Sequence, residues 1–509
     1  MNDHPNANLF FRLLGRLRDP AKTAIETASG ELISYEALVA RSGRVANYLV
    51  SRGVKVGDRV AVQVEKSVEA LVLYLATVRA GAVFLPLNTA YTAHEIEYFV
   101  TDAEPSLIVC DPSHAGAIGG IAAKVGAKVE TLDAAGEGSL TDGAAGQPSA
   151  FETVMRAGDD LAAILYTSGT TGRSKGAMLT HDNLVSNTLT LVDYWRFTDR
   201  DVLIHALPIY HTHGLFVASN VILASGATMI FLPKFDADRI MELMARATVL
   251  MGVPTFYTRL LQHPELTREA TKNMRLFVSG SAPLLADTHR EWSAKTGHAV
   301  LERYGMTETN MNTSNPYDGD RVPGAVGFPL PGIEARVTDP ETGKELARDE
   351  IGMIEVRGPN VFKGYWRMPE KTVAEFRPDG FFITGDLGKI DPRGYVHIVG
   401  RGKDLVITGG FNVYPKEVES EIDAMPGVVE SAVIGVPHAD FGEAVTAVVV
   451  LEKGAELSEA DVVGALDGQI AKFKIPKRVM FVGELPRNTM GKVQKNVLRQ
   501  NFAGLYDKA

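Results

Sequence analysis

Tyr166-Thr167-Ser168-Gly169-Thr170-Thr171-Gly172-Arg173-Ser174-Lys175-Gly176 closes the short apolar run that begins at Leu161. Closely spaced glycines and hydroxyl residues let backbone amides and side-chain hydroxyls converge on phosphate oxygens. Lys175 adds a mobile point charge. A Walker-type loop needs glycine directly before the lysine and Ser or Thr after it. Here Ser174 precedes Lys175 and Gly176 follows, so that template fails on both sides. A solvated turn is the other reading of an isolated Gly/Ser/Thr cluster.

Outward from this loop, short β-like runs alternate with helix-like ones. Asp58–Val64, Ala82–Leu87 and Leu107–Cys110 read as strands, and Val68–Arg79 as a helix with a buried face. Such alternation predicts βα units and a largely parallel sheet, an α/β fold. After the loop, a returning strand and a helix are both open, and Thr180 is placed to cap a helix starting near His181. Ala134–Ala150, rich in Gly, Ala, Ser and Thr, reads as a surface connection. Gly324–Val399 turns β-like. Beyond Gly400, helix-like Pro415–Ala424, strand-like Val428–Val436 and Ala444–Leu451, and helix-like Ser458–Ile470 predict a compact α+β unit. The expected domains are therefore residues 1–400 and 401–509.

The 509 residues carry 52 basic and 62 acidic side chains, a net charge of −10. That balance argues against a nucleic-acid binder held mainly by phosphate contacts. The single cysteine, Cys110, excludes an intrachain disulfide and a cysteine-built metal site. Met1–Asn8 lacks a signal-peptide pattern, and the apolar run at Ala70–Val78 is too short to span a bilayer. A soluble cytoplasmic enzyme, without nucleic-acid or membrane partners, is the expectation.

Further motifs occur in order: Leu207-Pro-Ile-Tyr-His-Thr-His-Gly214, Tyr304-Gly-Met-Thr-Glu308, Thr384-Gly-Asp386, Gly400-Arg-Gly-Lys-Asp404 and Pro486-Arg-Asn-Thr-Met-Gly-Lys492. With the glycine-rich loop, this set resembles the adenylate-forming enzymes along nearly the whole chain. Within that group, Leu161–Leu179, His205–Ser219 and Val278–Pro316 are most similar to bacterial malonyl-CoA synthetases. The resemblance implies a large N-terminal adenylate-forming domain of several subdomains and a small mobile C-terminal domain. It also implies a two-step ligation of malonate, or methylmalonate, to coenzyme A through an acyl-adenylate, with release of pyrophosphate and AMP. An adenylation enzyme for another small acid, or one that loads a carrier-protein thiol, is the alternative.

By the same resemblance, Thr167, Ser168, Gly169, Thr170, Thr171, Gly172 and Lys175 hold the ATP phosphates. Thr307 contacts phosphate and Glu308 holds Mg²⁺, a hard ion suited to oxygen ligands. Tyr304 stacks on adenine, Ser281-Ala282-Pro283 line the slot, Asp386 accepts from the ribose hydroxyls, and Arg401 contacts ribose or phosphate. Lys492 bridges the substrate carboxylate and the α-phosphate. Lys403 is the hinge, and Gly409-Gly410 form part of the coenzyme A tunnel after rotation. Acetylation of Lys492 by a protein acetyltransferase, reversed by a deacetylase, removes the charge that adenylation needs.

A dicarboxylate needs a cation or several donors at its far end, because burying that charge unpaired costs several kcal/mol. Arg290, in Thr288-His-Arg-Glu-Trp292, is the favoured partner, supported by Ser281 and His211. The competing reading of Arg290 is a helix-surface arginine paired with a neighbouring acid such as Glu291. His211 ranks first as a substrate-site residue, second as a packed histidine, and last as a metal ligand with His213.

Overall fold

The computed structural model describes residues 6–15, 17–167, 174–408, 411–438, 441–467, 469–470, 472–488 and 491–506. Among them, two large sheets, a four-stranded sheet and a C-terminal sheet account for the β structure. The first large sheet runs Gly364–Tyr365, Lys175–Thr180, Leu161–Thr167, Val83–Pro86, Arg59–Gln63, Leu107–Cys110, Lys128–Thr131. Its last five strands are mutually parallel. Val83–Pro86 and Leu107–Cys110 are buried at every position, as a parallel sheet covered on both faces requires.

Val68–Arg79 is a helix over the predicted residues, and every residue in it but Glu69 is buried. A helix that is apolar all round must be enclosed. Residues of this helix and of both large sheets belong to one continuous core. Ser67 begins it by accepting the amide of Ala70. The segment after the glycine-rich loop is a strand, Lys175–Thr180, antiparallel to Leu161–Thr167. The helix His181–Tyr194 follows, with Thr180 and Asn183 forming a reciprocal cap.

The second large sheet places Asn310–Ser314, Leu301–Met306, Leu276–Ser279, Val249–Gly252, Val202–His205, Thr228–Phe231 and Thr23–Thr27 side by side, parallel from Leu301–Met306 through Thr23–Thr27. In such sheets, ligands bind beyond the carboxyl ends of the strands. Those ends deliver Leu207–Gly214, Gly280–Pro283 and Thr307–Glu308 to one face of the sheet.

Two expectations need correction. Residues 134–150 are not only a surface connection: Ser139–Ala145 is a helix with Leu140 and Ala144 buried at i, i+4 spacing. It packs closely because Gly143 has no side chain; a β-carbon there would lie 2.2 Å from Cζ of Tyr48. The helix expected over Ser458–Ile470 covers only Glu459–Leu466, ending where Asp467 turns extended.

An antiparallel sheet of Glu334–Thr338, Gly352–Arg357, Phe382–Ile390 and Val396–Arg401 ends at Arg401. After the tight turn Gly402–Asp404, the next sheet begins at Val406. Residues from Val406 onward form two apolar clusters of their own.

Candidate functional site

Arg303 lies in the strand Leu301–Met306 and is only 4% exposed. Its Nε and Nη2 have no hydrogen-bond partner, and no carboxylate among the described residues pairs with it. Burial pushes its pKa down to about 9. Around it stand groups suited to an anion. Ser281 Oγ is 3.3 Å from His213 Nδ1, and His213 Nε2 is buried without a partner. Burial, then the charges of Arg303 and Lys492, push His211 down to about 4. Burial and Arg303 also push His213 well below the ordinary range. At neutral pH both imidazoles are uncharged, so the guanidinium is the fixed positive charge of this pocket. Ser281 has φ +71°, a left-handed conformation that a non-glycine residue rarely adopts, and such strain gathers at functional sites.

Lys66 and His205 brace the histidine segment from behind. Lys66 Nζ donates to His205 O at 2.7 Å and lies 3.0 Å from His205 Nδ1. His205 Nε2 lies 2.9 Å from the Gly214 carbonyl, which can only accept, so Nε2 carries the proton and Nδ1 accepts from Lys66. This chain fixes the start of the π-helix His213–Ser219.

The sequence-predicted arginine lies elsewhere. Arg290 is on the helix Ala286–Thr296, which buries Thr288, His289, Trp292 and Thr296. Its own side chain is 66% exposed and pairs with Asp287 at 2.5 Å. The competing surface reading describes it correctly, except that the partner is Asp287 rather than Glu291. The sequence motifs do not single out Arg303, which directly precedes Tyr304-Gly-Met-Thr-Glu308. Charge alone does not mark it in the strand, because Glu302 stands beside it.

At the nucleotide end, Tyr304 donates to Asp386 Oδ2 at 2.6 Å and Arg401 Nε meets Asp386 Oδ1 at 2.7 Å. Asp386 is buried, and its charge raises the pKa of Arg401. Glu308 is also buried; its Oε1 lies 3.0 Å from the Tyr365 hydroxyl, and burial raises its pKa. Thr307 beside it is half-buried. Thr167 and Lys175 are cross-strand partners at the mouth of the glycine-rich loop. Ser168, Gly169, Thr170, Thr171 and Gly172 lie outside the described residues, as do Gly409 and Gly410. Ala282 is half-buried and Pro283 exposed.

The C-terminal part closes over this face. A β-carbon on Gly491 would stand 3.7 Å from the Thr255 side chain, so the Lys492 loop rests on the helix Pro254–Leu261. Within that loop the Lys492 amide donates to Asn488 Oδ1 at 2.9 Å. The Lys492 side chain is reached by water, yet it lies in a cleft dense with protein atoms. That crowding, followed by the charge of Arg401, lowers its pKa. Lys403 is likewise pushed down to about 8 by crowding, against the attraction of Asp404.

A fold of this topology, carrying these groups along one face, defines a class. The AMP-binding enzyme family matches residues 16–366, and the AMP-binding enzyme C-terminal domain matches residues 417–492. The chain belongs to the AMP-binding enzymes. It is 78% identical to MatB from Rhodopseudomonas palustris, over 99% of this chain and 100% of that one. The TM-score is 0.98 against the ATP-bound MatB structure and 0.86 against the apo structure. The arrangement described here is therefore closer to the ATP-bound one. A malonate–CoA ligase of Arabidopsis thaliana is 36% identical, covering 88% of this chain and 78% of its own. A feruloyl-CoA synthase of an Amycolatopsis species is also 36% identical, covering 95% and 96%. Identity at that level does not separate a small diacid from an aromatic acid, so the pocket must.

Proposed function

We propose that this enzyme ligates malonate to coenzyme A at the expense of ATP, and that Arg303 holds the far carboxylate of the diacid. The observation that carries this reading is the buried, unpartnered guanidinium among Ser281, His211 and His213, on the same face as Lys492. An unpaired charge in a protein interior is costly, and a planar carboxylate matches the fork of an arginine. An aromatic or long-chain acid would leave Arg303 without a partner.

In the first half-reaction, one malonate oxygen attacks the α-phosphorus of ATP and pyrophosphate leaves. In this reading Lys492 bridges the attacking carboxylate and the α-phosphate, stabilising charge where it develops. Thr167, Lys175 and Thr307 serve the phosphates, Asp386 and Arg401 the ribose, and Tyr304, Ser281, Ala282 and Pro283 the adenine slot. In the second half-reaction, the thiol of coenzyme A attacks the acyl carbonyl and AMP leaves. The segment after Lys403, with Gly409 and Gly410, turns to form the thiol's path, dividing the chain into residues 1–400 and 401–509.

Mg²⁺ fits the nucleotide end. Glu308 is a buried carboxylate whose Oε1 lies 3.0 Å from the Tyr365 hydroxyl oxygen, and its lone pairs suit a hard cation. Mg²⁺ commonly takes one or two carboxylates and completes its shell with phosphates and water. Bound there, it would neutralise charge on the triphosphate.

The water-accessible Lys492 side chain is open to acetylation by a protein acetyltransferase and to deacetylation, and the cytoplasm is the compartment this reading favours. No helix among the described residues is long and apolar enough to cross a membrane. Supplying malonate, methylmalonate, acetate, succinate and a medium-chain acid in turn, and measuring AMP and acyl-CoA, tests the reading. Malonate should lead; a medium-chain acid in first place would overturn it.

A further inference from the structure

The triphosphate end contains a carboxylate that none of these roles uses. Glu375 follows the short helix Pro369–Ala374. Its Oε1 accepts from Lys175 Nζ at 3.0 Å and pairs with Lys371 Nζ at 2.9 Å. Its Oε2 accepts from the Tyr365 hydroxyl at 2.6 Å. The Lys175 ammonium also lies 3.9 Å from the centre of the Tyr365 ring. The side chains of Lys175 and Glu375 are 20% and 19% exposed, so this pair is held away from most of the solvent.

We propose that Glu375 is the counter-ion that competes with the triphosphate for Lys175, setting how tightly ATP is held and how readily pyrophosphate leaves. The proposal rests on the reading of Lys175 as a phosphate-binding lysine. A phosphate oxygen approaching that ammonium must displace Glu375 or share it. The arrangement makes displacement inexpensive. When Lys175 turns to phosphate, Glu375 keeps Lys371 on the oxygen it shared and Tyr365 on the other, so no acid is stranded. When pyrophosphate departs, the same carboxylate takes Lys175 back. Affinity for the triphosphate is thereby reduced, and product release is eased.

The test is calorimetric titration of the full-length protein with inorganic pyrophosphate at fixed ionic strength. Four forms are compared: wild type, Lys175→Ala, Glu375→Gln and the double variant, each checked for folding by thermal unfolding. Glu375→Gln should tighten pyrophosphate binding by roughly three- to tenfold, the scale of one partly shielded ion pair. In the Lys175→Ala background it should change nothing, since contacting partners couple. Glu375→Asp, one methylene shorter, should shift affinity the same way by less and serves if Glu375→Gln does not fold. Weaker or unchanged binding in Glu375→Gln would overturn the proposal, as would equal tightening with and without Lys175. If Lys175→Ala alone leaves affinity unchanged, the phosphate-binding reading itself fails, and the proposal with it.

Discussion

Gly280 and Arg303 compete for one space: a β-carbon on Gly280 would stand 2.2 Å from Cζ of Arg303. The guanidinium lies across the backbone at the carboxyl end of Leu276–Ser279, and only glycine admits it there. Gly280→Ala should therefore displace Arg303 without touching the nucleotide end. The expected outcome is a malonate KM raised by about tenfold or more, on the order of one lost charge-assisted hydrogen bond, with the ATP KM within about twofold of wild type. Steady-state kinetics with each substrate varied in turn checks it; parallel rises in both KM values would count against it.

Arg290→Ala supplies the contrast. The side chain is exposed and pairs with Asp287 one helical turn away, an arrangement worth about 0–1 kcal/mol. Malonate kcat/KM should stay within about twofold of wild type by the same assay.

Lys492→Ala should slow malonyl-adenylate formation by roughly 10²-fold or more, the scale of a lost transition-state charge contact. Thioester formation from supplied malonyl-AMP should continue near the wild-type rate. Lys403→Pro should do the reverse if, as proposed, the C-terminal part turns through backbone changes in Gly402–Asp404. Rapid-quench measurement of each half-reaction separates the two, and equal losses in both steps for Lys492→Ala would contradict its assigned role.

Acid should weaken the fold through His181. This ring is fully buried, and its Nδ1 accepts the Leu9 amide at 3.0 Å. Burial, then Arg156, push its pKa down to about 4 from an ordinary 6.5. The unfolded chain binds the proton more readily than the folded one, so stability falls as pH drops from about 6.5 towards 4. The full span is worth on the order of 3 kcal/mol. Denaturant unfolding across pH 4–7 should show that decline, and His181→Gln should flatten it.

The fold was largely legible because its signals are local. An apolar run bounded by Ser67 and Arg79 makes the enclosed helix, and Thr180 with Asn183 announces the next. Ser139–Ala145 was hidden because Gly143, a helix-weakening residue, is there for close packing against Tyr48. At the site, motif residues such as Glu308, Asp386, Arg401 and Lys492 could be picked out by their order along the chain. Arg303 could not be told from Arg290 that way. What distinguishes them is burial without a partner, a property of packing between distant segments. Packing between distant segments likewise brings Lys66 to His205, 139 positions away, and Glu375 to Lys175, 200 positions away.

The central claim, a guanidinium fixed against the far end of a diacid, is tested most directly by the ratio of kcat/KM for malonate to that for isovalerate. Isovalerate has a similar branched outline and carries an isopropyl group where malonate has its second carboxylate. The ratio should be roughly 10⁴ in the wild type, because a site built for a polar group rejects an analogue lacking it. It should collapse by a factor of about 10² or more in Arg303→Met, as isovalerate gains what malonate loses. A wild-type ratio near unity, or one that Arg303→Met leaves unchanged, would contradict the account.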